Sequence, residues 1–287
     1  MKKRTILLKI EYDGTGFSGW QIQKTARTVQ GVLQDALTKV LGQPVSLDGV
    51  SRTDAGVHAM GQCATFSGEF GIPTERIPYA VNHILAGRGL SPGENMDVRI
   101  ASAKEVPEEF HARFNSRGKR YRYLIYNGAS MPVFLRNYRY LVEKPLDISR
   151  MQEAAEKIEG THDFACFQAS GSFPRATTVR TVHSLSVRRR TEADLRGIRA
   201  DLPHAAEDVL IEVSGDGFLY HMVRNIAGTL VEIGLGRMEP SDIPEILESR
   251  DRSRAGHTAP PQGLWLDEVF YDPDDLKMTG NTEDDRE

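Results

Sequence analysis

The sequence predicts an α+β protein built from two halves, each passing through strand and helix in the order β-α-β-β-α-β. Three observations lead there. Apolar residues alternate over short segments such as residues 5–12 and 121–126, which is the period of half-buried strands. Between such segments they recur at helical spacing, as Val29, Val32, Leu33, Ala36, Leu37, Val40 and Leu41 do. At 287 residues the chain is also long enough for two modest domains.

In the first half, Ile6, Leu8, Ile10 and Tyr12 share one side of a strand that Asp13-Gly14 ends. Thr28 is placed to cap the helix that follows, and Gly42 to stop it. A short strand at 45–47, a polar loop around Asp54, a strand at 62–66, a helix at 73–85 and a strand at 98–101 complete the series. That order is the ferredoxin-like motif, in which both helices cover one face of an antiparallel sheet and leave the other for a partner. The second half offers strands at 121–126 and 138–142, then a helix at 148–158 with Met151, Ala154, Ala155 and Ile158 inward and Gly160 closing it. Strands at 182–187 and 209–213, helices at 220–233 and 243–247, and a last strand at 264–271 follow. Residues 191–208 are polar, contain Pro203 and read as an exposed excursion between strands. The expected division is 1–110, 111–275 and a disordered acidic tail at 276–287, with the two sheets joined edge to edge and a cleft that brings the Asp54 loop toward the second half.

Composition narrows the setting. Cys63 and Cys166 stand alone, so neither a disulfide framework nor a four-ligand zinc site is offered, and a reducing, cytoplasmic setting fits best. The start, Met1-Lys2-Lys3-Arg4, resembles the head of a secretion signal, but Lys9 and Glu11 interrupt the apolar run behind it. No segment approaches the roughly 20 apolar residues that cross a bilayer, so no membrane partner is expected. The formal charge of −4 comes from 36 Lys+Arg against 40 Asp+Glu. Residues 267–287 hold nine acids against two bases, a local −7 that leaves +3 for residues 1–266. Between His111 and Tyr123, the cations Arg113, Arg117, Lys119, Arg120 and Arg122 stand without an acid among Phe114, Tyr121 and Tyr123. Cations mixed with aromatics suit phosphates and unstacked bases.

The stretch with the most chemistry is Ser51-Arg52-Thr53-Asp54-Ala55-Gly56-Val57-His58-Ala59. It puts a carboxylate on a small-residue turn, where Ala55 and Gly56 admit close approach and Arg52 lies two residues from the acid. On spacing alone, Asp54 is either a nucleophile or a residue that caps its own turn. The string resembles the catalytic signature of the TruA family of tRNA pseudouridine synthases. Segments similar to that family recur along nearly the whole chain: Glu11-Tyr12-Asp13-Gly14 with Gly19-Trp20-Gln21, Phe110-His111-Ala112-Arg113-Phe114, Tyr121-Arg122-Tyr123, Gly160-Thr161-His162-Asp163-Phe164, the run from Gly217 to Asn225, and Thr258-Ala259-Pro260.

The resemblance implies the pseudouridine synthase fold, a homodimer, and conversion of uridine to pseudouridine in the anticodon stem-loop of tRNA, at tRNA positions 38, 39 and 40. It assigns Asp54 as nucleophile, Arg52 to the space the flipped base vacates or to the flipped phosphate, Tyr121 to the target uracil and Arg224 to an ion pair with Asp54. Residues Phe110, His111, Ala112, Arg113 and Phe114 would contact tRNA, one subunit's basic segment holding the tRNA elbow. The loop Gln168, Ala169, Ser170, Gly171 and Ser172, with Arg175 and Arg180 beyond it, would form a second contact. The reaction breaks N1–C1′ and rejoins the ring through C5; it is an isomerisation that calls for no cofactor and no metal. Attack at C1′, attack on the uracil ring and a glycal route all remain open. Trp20 and Gln21 are expected to support the site from below. A phosphohydrolase reading of Glu11-Tyr12-Asp13-Gly14-Thr15 fails at its first position, where Glu11 replaces the nucleophilic Asp; a non-catalytic RNA-binding module would not need Asp54.

Overall fold

The computed structural model describes residues 2–87, 96–171, 177–191 and 207–278. They divide into two compact units, Met1–Arg117 together with the end of the chain from Val269, and Gly118–Glu268. The first unit thus takes in residues 111–117 and the chain's return at 269–275, both of which the expected division places in the second half. Hydrogen bonds explain the return: Tyr271 donates its hydroxyl to the Ala112 carbonyl at 2.9 Å, and the Phe110 and Tyr271 rings lie 5.4 Å apart. Among the described residues no helix is long and apolar enough to cross a membrane.

The first unit holds β1 (Lys3–Tyr12), α1 (Val29–Leu41), β2 (Asp48–Gly49), β3 (His58–Glu69), α2 (Ile77–Ala86) and β4 (Val98–Val106). β1 lies between β3 and β4, and β2 pairs with the far side of β3, every ladder antiparallel. This spatial order, fourth, first, third, second, is what a split βαβ motif produces, and it bears out the α+β class. Thr28 caps α1 by accepting from the Gly31 N–H, and the helix turns Val29, Leu33, Ala36 and Leu37 inward. The strand expected at 45–47 is not formed. Leu47 is nevertheless fully buried, because two side-chain amides of α1 replace a ladder: its N–H donates to Gln34 at 3.0 Å and its carbonyl accepts from Gln30 at 2.8 Å. β3 runs far beyond the expected 62–66, because Ala59, Gly68 and Glu69 carry no strand signature yet pair with Tyr12, Arg4 and Lys3 on the ladder to β1.

The second unit begins within β5 (Ser116–Tyr126) and continues through β6 (Tyr140–Leu141), α3 (Ile148–Ile158), β7 (Gly160–Asp163), β8 (Val179–Arg189), β9 (Asp208–Gly215), α4 (Met222–Gly234), α5 (Ile243–Ser249) and β10 (Leu264–Tyr271). β9 lies between β5 and β8, antiparallel to both, so the first-third-second order of the first unit recurs; β6 runs parallel to β5 at its edge. Asp147 caps α3 by accepting from the Arg150 N–H, and Met151, Ala154, Ala155 and Ile158 are buried as their spacing predicts. Gly160 does not stop this helix: Glu159 does, and Gly160 opens β7, a strand that four residues of mixed polarity did not announce.

The polar excursion also needs correction at its ends. Residues 192–206 lie outside the described residues, as does the tail from residue 279. Asp208, counted as exposed, is fully buried and starts β9. Its carboxylate receives Nε and Nη2 of Arg139 at 3.1 and 3.2 Å and Nη1 of Arg190 at 3.0 Å, and the Arg190 N–H donates to its backbone carbonyl. Two buried guanidiniums on one buried carboxylate leave no water to take over if the acid is lost. Asp208→Asn should therefore cost about 3–5 kcal/mol of stability. The check is urea unfolding: the midpoint falls while the slope with denaturant stays the same.

Candidate active site

The Asp54 loop is fixed from three directions within the first unit. Tyr12 Oη and Thr53 Oγ1 share a buried hydrogen bond of 2.7 Å. The Trp20 N–H donates to the Thr53 carbonyl at 3.0 Å, and the loop closes on itself through Val57 N–H to the Asp54 carbonyl at 3.2 Å. Gln62 reaches back from β3, donating to the Ser51 carbonyl at 2.7 Å and accepting from its N–H at 3.3 Å. Backbones meet so closely that a Cβ on Gly14 would stand 2.0 Å from the Val57 carbonyl oxygen. One on Gly19, which has a φ of 89°, would stand 2.8 Å from that of Thr53. Trp20 is buried, with its ring against Gly49, and so supports the site as expected; Gln21 is exposed and does not. Pinned on both sides, Asp54 is left half-buried between exposed Arg52 and exposed Ala55.

His58 is fully buried at the end of the loop. Its Nδ1 accepts the Gly14 N–H at 3.0 Å, which places the proton of the neutral ring on Nε2. Asp13 Oδ1, 3.3 Å from Nδ1, accepts from Thr15 N and Oγ1 and caps the turn 14–16. His58 and Asp13 thus peg the loop from its back side. Glu11, the residue of the phosphohydrolase reading, is engaged with Arg99 at 2.6 Å. Burial pushes the Cys166 thiol up to about 12, so it is not a thiolate at neutral pH.

The Phe110–Phe114 segment divides by burial. Phe110 and Ala112 are core, the latter's N–H donating to Thr65 Oγ1 at 3.3 Å, so they hold the segment in place. Phe114 is 77% exposed, with the His111 ring 4.4 Å away and the Arg113 guanidinium 5.8 Å from its centroid. Three of the cations after it have acids. Arg117 lies near Asp272 and Asp275, Arg120 pairs with Asp267 and Glu268 at 2.6 Å, and Arg122 with Glu212 at 2.8 Å and Asp267 at 3.3 Å. The segment is free of acids in sequence, yet three of its five cations are paired in space, largely with residues counted with the acidic C-terminal stretch.

In the second unit Tyr121 is buried to 8% exposure and stands edge-on to Phe218, ring centroids 5.2 Å apart. Arg224, on the first turn of α4, is half-buried and donates through Nε to the Ala259 carbonyl at 2.8 Å, while the Ala259 N–H returns a bond to the Arg224 carbonyl at 3.1 Å. The loop Gln168 to Gly171 is tied to the same turn by Ala169 N–H to the Tyr220 carbonyl at 3.1 Å; Ser172 and Arg175 lie outside the described residues.

The sequence model of a family described as tRNA pseudouridine synthase matches residues 9–115 and 154–272. The chain belongs to the tRNA pseudouridine synthase family. Among curated relatives, the tRNA pseudouridine synthases A of Ruminiclostridium cellulolyticum and Acetivibrio thermocellus are each 46% identical to it, over 270 and 268 residues, and that of Geotalea uraniireducens is 42% identical over 268 residues. Each alignment covers 93% of this chain and 100% of the relative. As a member of the tRNA pseudouridine synthase family, the chain is an isomerase that acts on tRNA.

Sequence reasoning found Asp54 but not the residues that hold its loop. No spacing in the sequence signals that Tyr12 meets Thr53 across 41 positions of chain, or that His58 meets Gly14 across 44. Because the loop of this pseudouridine synthase is held by backbone contacts that only glycine admits, Gly19→Ala should loosen it. Hydrogen exchange is expected to speed up at residues 52–57 and stay unchanged in β8 and β9.

Proposed function

We propose that the chain converts uridine to pseudouridine at positions 38, 39 and 40 in the anticodon stem-loop of tRNA, with Asp54 as the nucleophile. The observation that carries this reading is the half-buried carboxylate on a loop whose backbone is held at Ser51, Thr53 and Val57, with small residues beside it. Such a carboxylate loses little freedom when a sugar or base comes against it, which is the advantage of a preorganised nucleophile. A stacked uridine cannot reach it, so the nucleotide is extruded at a cost of a few kcal/mol, offset by RNA contacts. Arg52, exposed two residues before Asp54, holds the extruded nucleotide. Tyr121, fixed by Phe218, stacks on the uracil, and Arg224 keeps Asp54 ionised. Exposed Phe114 with its neighbouring His111 and Arg113 takes an unstacked base or ribose, and Gln168 to Ser172 form a second contact. The names of the relatives, tRNA pseudouridine synthase A, support the substrate class. The protein works in the cytoplasm as a homodimer, one subunit holding the tRNA elbow while the other's Asp54 receives the uridine.

Asp54→Asn removes the charge at nearly constant shape and should keep the fold and tRNA binding while abolishing turnover. Pseudouridine mapping on unmodified tRNA, without added cofactor, checks this; a normal rate in the variant excludes Asp54 as nucleophile. Arg224→Lys should keep the fold and lower kcat, because an ammonium lacks the planar fork. Phe114→Ala should leave the melting temperature unchanged and weaken tRNA binding by about 1–3 kcal/mol, the usual worth of one stacked base; filter binding at fixed salt reads it.

A further inference from the structure

The direction of the Arg224 guanidinium is set by a polar lattice behind it, and we propose that Arg252, Asn225 and Thr258 are positioning residues that act through Arg224. The proposal rests on the reading of Arg224 given above and deepens it. Asn225, the next residue on α4, is fully buried and cannot turn to solvent. Its Nδ2 donates to the Phe167 carbonyl at 2.7 Å. Its Oδ1 accepts twice, from Thr258 Oγ1 at 2.6 Å and from Arg252 Nη2 at 3.0 Å. The same Nη2 also meets Thr258 Oγ1 at 3.1 Å, and Arg252 Nη1 donates to the Ala255 carbonyl at 3.3 Å.

This lattice fixes Thr258, and Thr258 carries Ala259. The Ala259 carbonyl is the acceptor that holds Arg224 Nε, and its N–H is the donor that holds the Arg224 backbone. Further bonds keep the segment on the helix: Gly256 N–H donates to Thr229 Oγ1 at 2.8 Å, and Tyr123 Oη donates to the Pro260 carbonyl at 2.7 Å. A guanidinium is planar, so holding Nε fixes the plane in which its terminal nitrogens lie. Moving Ala259 moves that plane. Arg252 is suited to its place because only a fork can meet Asn225, Thr258 and the Ala255 carbonyl together; a single ammonium cannot.

The test is a mutant cycle read as kcat and KM on unmodified tRNA, with thermal melting of each variant. Thr258→Val keeps the side-chain shape and removes the hydroxyl; Arg252→Lys keeps the charge and removes the fork. Each should lower kcat by tenfold to roughly a hundredfold, the scale of a small misplacement of a reacting group, with KM unchanged. Thr258→Ser, which restores the hydroxyl, should restore turnover. In an Arg224→Lys background, Thr258→Val should bring no further loss, since the group it positions has already gone. Wild-type kcat in Thr258→Val overturns the proposal, and so does a loss that multiplies with that of Arg224→Lys. If Thr258→Val fails to fold, Arg252→Lys in the same cycle decides by the same two outcomes. Full activity of Arg224→Lys removes Arg224 itself from the mechanism, and this proposal with it. Reduced activity of Arg224→Lys with an independent Thr258→Val effect removes only the positioning role.

Discussion

Thr53 is where the first unit commits its loop to one shape. Its carbonyl takes the Trp20 N–H and its hydroxyl shares a hydrogen bond with the Tyr12 hydroxyl, so the residue before Asp54 is held through both backbone and side chain. Neither bond is strong by itself, since a buried hydrogen bond contributes about 1 kcal/mol net. Their value is geometric. Tyr12 comes from the end of the central strand and Trp20 from the turn before α1, so the loop inherits the rigidity of sheet and helix together. A loop left to itself would spread over many backbone states, and each ordered residue costs about 1–2 kcal/mol of backbone entropy. The sheet has already met that cost before any substrate arrives.

The second unit solves a related problem with different chemistry. There the charged group, Arg224, sits on a helix that is otherwise buried almost all round, from Met222 to Gly234. A charge on such a helix is tolerated because Arg224 is only half-buried and the Ala259 carbonyl of the segment 256–260 accepts from its Nε. Asn225 and Thr229, both fully buried, spend their polar atoms on that segment and on the Phe167 carbonyl. The apolar contacts of α4 hold the helix in the core, and the polar ones hold the 256–260 segment on the helix.

How much of this could be read from the residues depends on range. The ends of α3 and β10 fall where expected, because an Asp cap, a clean apolar face and a short run rich in Leu, Trp, Val, Phe and Tyr are local signals. The start of α4 does not: Tyr220 and His221 stack at 3.9 Å and His221 adopts a left-handed φ of 59°, so the helix begins at Met222. The string around Asp54 was legible as chemistry, since carboxylate, small residues and arginine are adjacent in sequence. Its contacts with Tyr12 and Trp20 are not, since they join residues some thirty to forty positions apart. The same holds for Asp208, polar among polar neighbours, whose burial follows only from Arg139, far back in the chain, and Arg190.

The pairing of Arg117, Arg120 and Arg122 with carboxylates also changes what a nucleic acid would meet. Cations that face only water gather mobile anions, and binding a phosphate sets ions free, which drives binding of any polyanion and makes it collapse as salt rises. These three arginines carry tethered counterions instead. A phosphate that comes to them must displace a carboxylate held 2.6 to 3.9 Å away, one anion for another, with little release of salt. A random RNA strand gains little from such an exchange. A shape that places its phosphates where the carboxylates already stand gains more, so in any contact with a nucleic acid the acids along β10 and beyond would favour fit over charge.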